Sequence, residues 1–378
     1  MIKKVLITGG AGFIGSALAS RLLSEGYEVV VLDSLLPQIH GDYHNSYTFN
    51  LIKNNVEFIQ GDVRNRADWE KSLQGVNIVV HLAAETGTGQ SMYEIERYVD
   101  VNVRGTAILL EILTNKKNIV EKVIIASSRA IYGEGKYSCS QHGIVYPKSR
   151  EEHFLKVGDF ECKCPICEGT LFLLPTDEES KLSPTSLYGI TKLNQEQMIL
   201  TICAGLGIDA LAFRYQNVYG PGQSLKNPYT GILSIFSGLI RKNEEINIFE
   251  DGEESRDFVY INDVVEATYL GFQTNCTGQN VFNVGSGKRI SVNRIVETLE
   301  RLLEKSIRKH VSGKFRIGDI RHNFADLQHI KNNLGFLPKV SFEEGISRYI
   351  DWVELQEIEA NNSYTNSLLE LKQKGLFK

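Results

Sequence analysis

Ile2-Lys3-Lys4-Val5-Leu6-Ile7-Thr8 runs straight into Gly9-Gly10-Ala11-Gly12-Phe13-Ile14-Gly15, an apolar strand meeting glycines three apart. A helical pattern, Ser16 to Leu23, follows at once. Dinucleotide binding needs this order. Gly9 permits the tight turn off the strand, and Gly12 lets a pyrophosphate approach the backbone and the positive end of the helix. Gly15 lets that helix lie close to the sheet, with Phe13 and Ile14 completing the cofactor-binding turn. A second apolar run, Tyr27 to Leu32, ends at Asp33, where a carboxylate accepts from a ribose 2′-hydroxyl and repels a 2′-phosphate. The expected cofactor is therefore NAD rather than NADP.

Working outward, strands are expected at Lys3–Thr8, Glu28–Asp33, Val56–Gln60, Ile78–Leu82 and Lys122–Ser127, with helical patterns between them. Over residues 1–133 this alternation predicts an α/β fold, a Rossmann-type doubly wound parallel sheet with ligands at the carboxyl ends of its strands. Asp33, Asp62, the His81–Glu85 segment and Ser127-Ser128 stand at those ends and should line one crevice. Residues 134–175 break the rhythm as a Cys-rich insertion, and 176–220 resume it with a helix through Leu206 and a strand at Ala210–Arg214. Residues 221–351 read as a smaller, mixed α/β substrate lobe with a helix near Ile232–Arg241 and segments returning to the first domain. The tail, 352–378, is polar and then helical, Tyr364 to Lys374.

With 378 residues, 42% of them hydrophobic, the chain can bury a substantial core. A net charge of −5 argues against nucleic acid as a partner. No stretch is long and apolar enough to span a membrane and no signal-peptide pattern opens the chain, so no membrane partner and a cytoplasmic location are expected.

Tyr188-Gly189-Ile190-Thr191-Lys192 places a phenol and an ammonium four apart, on one face of a helix. A neighbouring lysine and a positive nicotinamide ring both favour the phenolate, turning a weak base into a usable one, and the lysine can also hold the nicotinamide ribose. Ser128, at the end of the fifth strand, can bridge a substrate oxygen and Tyr188.

The glycine turn, Asp33, Gly61-Asp62-Val63, His81-Leu82-Ala83-Ala84, Ser128 and Tyr188/Lys192 resemble the extended short-chain dehydrogenases/reductases. Within them the similarity is to the nucleotide-sugar epimerases and dehydratases. Phe213 to Gly222, Arg256-Asp257-Phe258-Val259-Tyr260 and Phe282-Asn283-Val284-Gly285 extend it over nearly the whole chain. The resemblance implies that Asp62 and Val63 meet the adenine, Leu82, Ala83, Ala84 and Asn102 the middle of the cofactor, and Tyr215 the nicotinamide. It implies a nucleoside diphosphate sugar as substrate, with Arg256 and Arg316 on the diphosphate, Arg321 a further candidate, and Asn217 and Thr86 on phosphate or sugar oxygens. A guanidinium fork matches phosphate oxygens. A homodimer through helices near Tyr93–Leu113 and Ser186–Leu206 belongs to the same expectation.

The reaction is argued from what is missing. The resembling 4,6-dehydratases carry Asp-Glu directly after the active-site hydroxyl, and the decarboxylases keep a glutamate there; this chain has Arg129-Ala130. Without that acid/base pair the simplest chemistry is hydride out and hydride back at C4, a 4-epimerisation. Leu32 to Gly41, Glu85 to Tyr93, the Cys-bearing insertion and the tail Ser367 to Leu376 are similar to the bacterial dTDP-L-rhamnose 4-epimerases, which implies interconversion of dTDP-L-rhamnose and dTDP-6-deoxy-L-talose. Another UDP-, dTDP- or GDP-sugar epimerase, dehydratase or reductase on the same fold is the alternative; a non-catalytic NAD-binding scaffold is a more remote one.

Four of the six cysteines lie between positions 139 and 167, which is not a disulfide framework in a chain this long. Cys139-Ser140-Gln141-His142-Gly143 and Cys164-Pro165-Ile166-Cys167-Glu168-Gly169 each set two ligand-type residues three apart with a glycine close behind. Two such turns supply the four ligands of a closed, structural zinc site. Cys162 is either spare or a replacement for His142. Free thiols, or a redox pair at Cys164/Cys167, are the alternatives. Cys203 and Cys276 read as ordinary thiols.

Overall fold

Apolar runs without polar alternation become strands buried on both faces, as a parallel sheet covered by helices demands. In the computed structural model, which describes residues 2–229, 231–274, 280–357 and 363–378, these are β1 (Lys4–Thr8), β2 (Glu28–Asp33), β3 (Glu57–Gln60), β4 (Ile78–His81) and β5 (Lys122–Ser128). Each ends within one residue of its expected bounds. The insertion contributes β6 (Tyr137–Cys139), β7 (Gly143–Val145) and β8 (Leu171–Leu173). Beyond it come β9 (Asp209–Tyr215), β10 (Asn217–Tyr219), β11 (Ile246–Ile248), β12 (Ser255–Tyr260), β13 (Asn280–Val284), β14 (Arg289–Ser291) and β15 (Lys309–Val311). Among the described residues the central sheet has seven strands in the order β13-β9-β5-β4-β1-β2-β3, every neighbouring pair parallel. The chain order reverses between β1 and β4, so a crevice opens over the carboxyl end of β1.

Helix α1 (Phe13–Ser24) starts three residues before the apolar periodicity does. Gly12 is its N-cap (φ −72°, ψ 179°) and offers no side-chain acceptor, so the first N–H groups of the helix stay available. Two glycines are required by contact. Gly9 has φ +67°, and a Cβ there would lie 2.9 Å from the Ala83 nitrogen; a Cβ on Gly15 would lie 2.4 Å from the Gly9 oxygen.

Helices α2 (Gly105–Asn115) and α3 (Leu187–Leu206) cover one face of the sheet, packing Leu109, Ile112, Ile199 and Cys203 on Leu6, Val79 and Val123. The hydroxyl of Ser186 caps α3 at the Gly189 nitrogen (3.2 Å), and Gly207 ends it in the left-handed conformation. On the other face, α1 shares a continuous core with α4 (Ile232–Arg241), α5 (Ile261–Gln273), α6 (Val292–Leu302) and α7 (Phe342–Glu354). Most of the buried apolar residues described in 221–351 therefore share the core of the first domain. Strands β12 and β14 form one small sheet with β10, and β11 pairs with β15.

The insertion folds as a β7-β6-β8 antiparallel sheet around Tyr137, Cys139, Val145, Cys162 and Cys164. The tail helix α8 (Ser363–Gln373) is followed by Leu376 to Lys378, which pair by backbone hydrogen bonds with Phe315 and Ile317. Cys276 lies outside the described residues. None of the described helices is long and apolar enough to cross a membrane.

Candidate active site

One cleft of about 1030 Å³ runs over the carboxyl ends of the strands. It is lined by Gly9, Gly12, Phe13, Ile14 and Gly15 from the glycine turn, by Asp33, and by Asp62 and Val63 after β3. Leu82, Ala83, Ala84 and Thr86 line it after β4, and Ser128, Tyr188, Lys192, Tyr215, Asn217 and Arg316 complete it. The fold thus collects eighteen of the expected site residues in one place. Asp33 accepts from the Ala11 nitrogen (3.0 Å) and the Leu35 nitrogen (2.9 Å), which braces the turn while the carboxylate keeps lone pairs for a ribose hydroxyl. With uncapped helix N–H groups, a glycine that no side chain covers and a carboxylate across from them, these residues fit a dinucleotide.

Ser128 and Tyr215 face each other in the β5–β9 register, so both sit at the rim of the sheet. Ser127 donates to Glu196 at 2.5 Å, and Glu196 forms a buried pair with Arg214 (2.6 Å), which ties α3 to the ends of β5 and β9. That tie, with the Ser91 hydroxyl accepting from the Tyr188 nitrogen at 3.0 Å, delivers Tyr188 to Ser128.

Burial pushes the Tyr188 phenol above its ordinary pKa, while the neighbouring Ser128 hydroxyl and the Arg129 charge pull it down. The Lys192 ammonium donates to Gln195 at 2.7 Å, and burial depresses it to about 7. Gln195 continues to Thr106 (2.9 Å), and His81, wholly buried between Thr8 and Thr106, is driven down to about 3 by burial.

Three expected residues stand outside the lining. Asn102 is fully buried: its amide accepts from the Glu85 nitrogen (2.7 Å) and donates to the Glu85 carbonyl (3.1 Å) and to Thr191 (2.9 Å). A π-turn over Val99–Arg104 aims it there, so it pins the loop after β4 to α3. Arg256 spends its Nη donors on the carbonyls of Ser255 (2.9 Å), Arg321 (2.9 Å) and Ile320 (2.6 Å). Arg321 is 2% exposed and is consumed by Glu161, Glu250 and Asp251 at 2.7–3.0 Å, a cross-link between insertion and lobe. A buried guanidinium takes the nearest carboxylates, and here those are the protein's own.

Two further cleft residues have no role assigned from sequence, although Glu85 is expected in the crevice as the end of the His81–Glu85 segment. Glu85, paired with Arg97 at 2.8 Å, has its carboxyl raised by burial against the pull of Arg97. Arg129, read only as a missing acid, lines the cleft with its Nε on Asn217 at 2.8 Å.

In the insertion, the ligand atoms of Cys139, His142, Cys164 and Cys167 all lie within 4.8 Å of one another. A tetrahedral zinc with Zn–S of about 2.3 Å and Zn–N of about 2.0–2.1 Å has S···S edges near ~3.8 Å and S···N edges near ~3.5 Å. Cys139 to Cys167 is 3.8 Å, and His142 Nδ1 is 3.5 Å from Cys139 and 3.6 Å from Cys164. Those are the edges of such a tetrahedron. Cys162 stands apart, its thiol raised by burial and by Glu134, so His142 is the fourth member of the cluster.

The sequence matches the profile of the NAD dependent epimerase/dehydratase family over residues 5–150 and 168–285. The unmatched gap carries Cys162, Cys164 and Cys167. The chain is 38% identical over 365 residues to the dTDP-L-rhamnose 4-epimerase of Burkholderia thailandensis, covering 95% of this chain and 97% of that one. Among solved structures it is similar to the UDP-glucuronic acid 4-epimerase from Bacillus cereus in complex with UDP-glucuronic acid and NAD (TM-score 0.75, 28% identity, 93% and 99% covered). It is also similar to the UDP-glucose 4-epimerase of Thermotoga maritima with UDP-glucose (TM-score 0.74, 29% identity, 93% and 98% covered). With the family's profile matched over more than half its length, and the glycine turn, Ser128, Tyr188 and Lys192 sharing one cleft, this chain belongs to the NAD-dependent epimerase/dehydratase family.

Proposed function

We propose that the protein is an NAD-dependent nucleotide-sugar 4-epimerase that interconverts dTDP-L-rhamnose and dTDP-6-deoxy-L-talose. The observation that carries the reaction is the convergence of Ser128, Tyr188 and Lys192 in a cleft continuous with the glycine turn. NAD, when bound, supplies the reversible hydride chemistry that passes C4 through a ketone. The chain's own groups handle the proton. Tyr188 takes the C4-hydroxyl proton with Ser128 bridging, and returns it to the same oxygen after the 4-keto sugar has turned. Lys192 holds the ribose, and Ser128 keeps the phenol and the sugar oxygen within one hydrogen bond. Support for the sugar comes from the Burkholderia thailandensis relative; the similar solved structures bind other sugars, and what the three share is position 4. The test is proton NMR of purified protein with dTDP-L-rhamnose and no added cofactor. A growing dTDP-6-deoxy-L-talose signal set without net NADH is expected. Turnover of UDP- or GDP-sugars alone would discard the rhamnose assignment, and silence on all of them would discard the reaction.

We further propose that Cys139, His142, Cys164 and Cys167 hold one structural zinc. Four protein ligands leave no position for water or substrate, and the insertion's small apolar cluster gives it reason to need a staple. Four close, unpaired thiolate and imidazole groups also call for a reducing compartment, in line with a cytoplasmic location. Metal analysis should return about one zinc per chain. Release of zinc by a thiol-blocking mercurial should expose residues 134–175 to protease; iron, or no metal with three freely titrating thiols, would refute this. A homodimer is part of the same reading. Ile95, Val99, Ile190 and Ile202 are 39–55% exposed on the two helical segments expected at the interface. Sedimentation of the wild type as a monomer would remove it.

A further inference from the structure

The diphosphate of a nucleotide sugar needs cations, and two of the three arginines expected to supply them stand outside the cleft lining. Arg256 gives three of its N–H donors to backbone carbonyls, and Arg321 is paired with carboxylates. Arg316 stays in the cleft, its guanidinium 4.8 Å above the Phe249 ring and beside Tyr364. Arg129 stays there too. It directly follows Ser128 and lines the cleft with Tyr188 and Asn217. Its Nε donates to Asn217 Oδ1 at 2.8 Å, which fixes the guanidinium plane against β10 and leaves the Asn217 amide N–H groups for a ligand. Among the described residues this is its one hydrogen bond, and no carboxylate comes within 4.0 Å of it. Its four Nη–H donors are therefore uncommitted, and neither Nη atom is sealed from the cleft. The surroundings are short of negative charge. Burial and the Arg256 guanidinium behind it push Arg129 down to about 9, against Asp319, Tyr188 and Glu134 pulling the other way. It remains a cation at neutral pH, in a place that an anion would stabilise.

We propose that Arg129, aimed by Asn217, binds the β-phosphate of the nucleoside diphosphate sugar and so sets the sugar's distance from Ser128 and Tyr188. The geometry selects that phosphate. Ser128 meets the C4 oxygen, and a pyranose is one ring wide, so the phosphate on C1 lies within an arginine's length of O4. Arg316, farther along the cleft, then takes the nucleoside side. The pairing of a planar fork with phosphate oxygens is bidentate and charge-assisted. The proposal rests on the substrate being a nucleotide sugar, but not on which base or hexose it carries.

The experiment is calorimetric titration of the NAD-loaded full chain with dTDP and dTMP, and with UDP and UMP as a second pair, for wild type, Arg129→Gln and Arg129→Lys. Loss of a charge-assisted contact should weaken diphosphate binding in Arg129→Gln by on the order of 10- to 100-fold. Monophosphate binding should stay within about twofold, and Arg129→Lys should recover part of the loss. Bound NAD, read from absorbance, and the melting temperature should match wild type. In turnover the same variant should raise KM more than it lowers kcat. Equal loss for mono- and diphosphate, no loss for either, or release of NAD would overturn the assignment. So would a loss confined to sugars with a C6 carboxylate, which would place the guanidinium on the sugar. If wild type binds neither diphosphate, the proposed function fails first, and this inference with it.

Discussion

Replacing Ser128 by Ala isolates the electrostatics of the proton-transfer pair. Burial alone would hold the Tyr188 proton tightly, and the Ser128 hydroxyl is the largest influence opposing it, ahead of Arg129. A hydrogen bond donated to a phenolate is charge-assisted, of the class worth roughly 1.5–3 kcal/mol. Its loss raises the Tyr188 pKa, so a smaller fraction is phenolate at any pH below that pKa. On the acid limb kcat/KM should fall on the order of 10- to 100-fold, and the limb itself should move to higher pH. The Ser128 oxygen also accepts from the Ala130 nitrogen at 3.2 Å, so Ala could disturb the short turn after β5. Ser128→Thr keeps the hydroxyl and is the control: it should restore the position of the limb even if it does not restore the rate. The assay is nucleotide-sugar epimerisation followed by NMR across pH, with bound NAD checked at each point. A Ser128→Ala protein that is slower by the same factor at every pH, with its acid limb unmoved, would falsify the idea that this hydroxyl tunes the phenol. The serine would then act on the substrate oxygen alone.

Two further perturbations test what positions the site. Glu196→Leu leaves the Arg214 guanidinium buried, 4% exposed, without its carboxylate; breaking one side of such a pair costs about 3–5 kcal/mol. A thermal melt should show a fall of several degrees and turnover should drop with it, whereas an unchanged melt would mean α3 is held by packing alone. Gly15→Ala puts a methyl 2.4 Å from the Gly9 oxygen and 2.6 Å from the Gly10 Cα, both backbone, so α1 must lift off the turn at a cost of about 1–3 kcal/mol. The protein should purify with little NAD but with its metal content unchanged, and wild-type NAD occupancy would show that the close approach is dispensable.

What the sequence discloses and what it conceals divide along contact range. The glycine turn, the run of buried strands, the Tyr188/Lys192 spacing and the two Cys/His knuckles are each written within a few residues, and strand pleat, helix pitch and turn geometry convert them into positions. The misread residues depend on partners that are distant in sequence. Arg321 looks like a phosphate ligand until β11 and the insertion bring Glu250 and Glu161 onto it, 71 and 160 residues away. Asn102, expected at the cofactor, also gives its amide to Thr191, 89 residues on. Even the short-range pair is only half legible. Helical spacing sets Tyr188 and Lys192 on one face, but it does not disclose that the ammonium donates to Gln195, three residues along. Arg129 shows the same limit from the other side. Beside Ser128 in the chain it reads as an absent acid, a reason to exclude elimination chemistry. Only when β10 brings Asn217 beside it does that guanidinium acquire a direction. One side chain can thus serve two arguments: its identity removes an acid from the site, and its placement supplies a cation there.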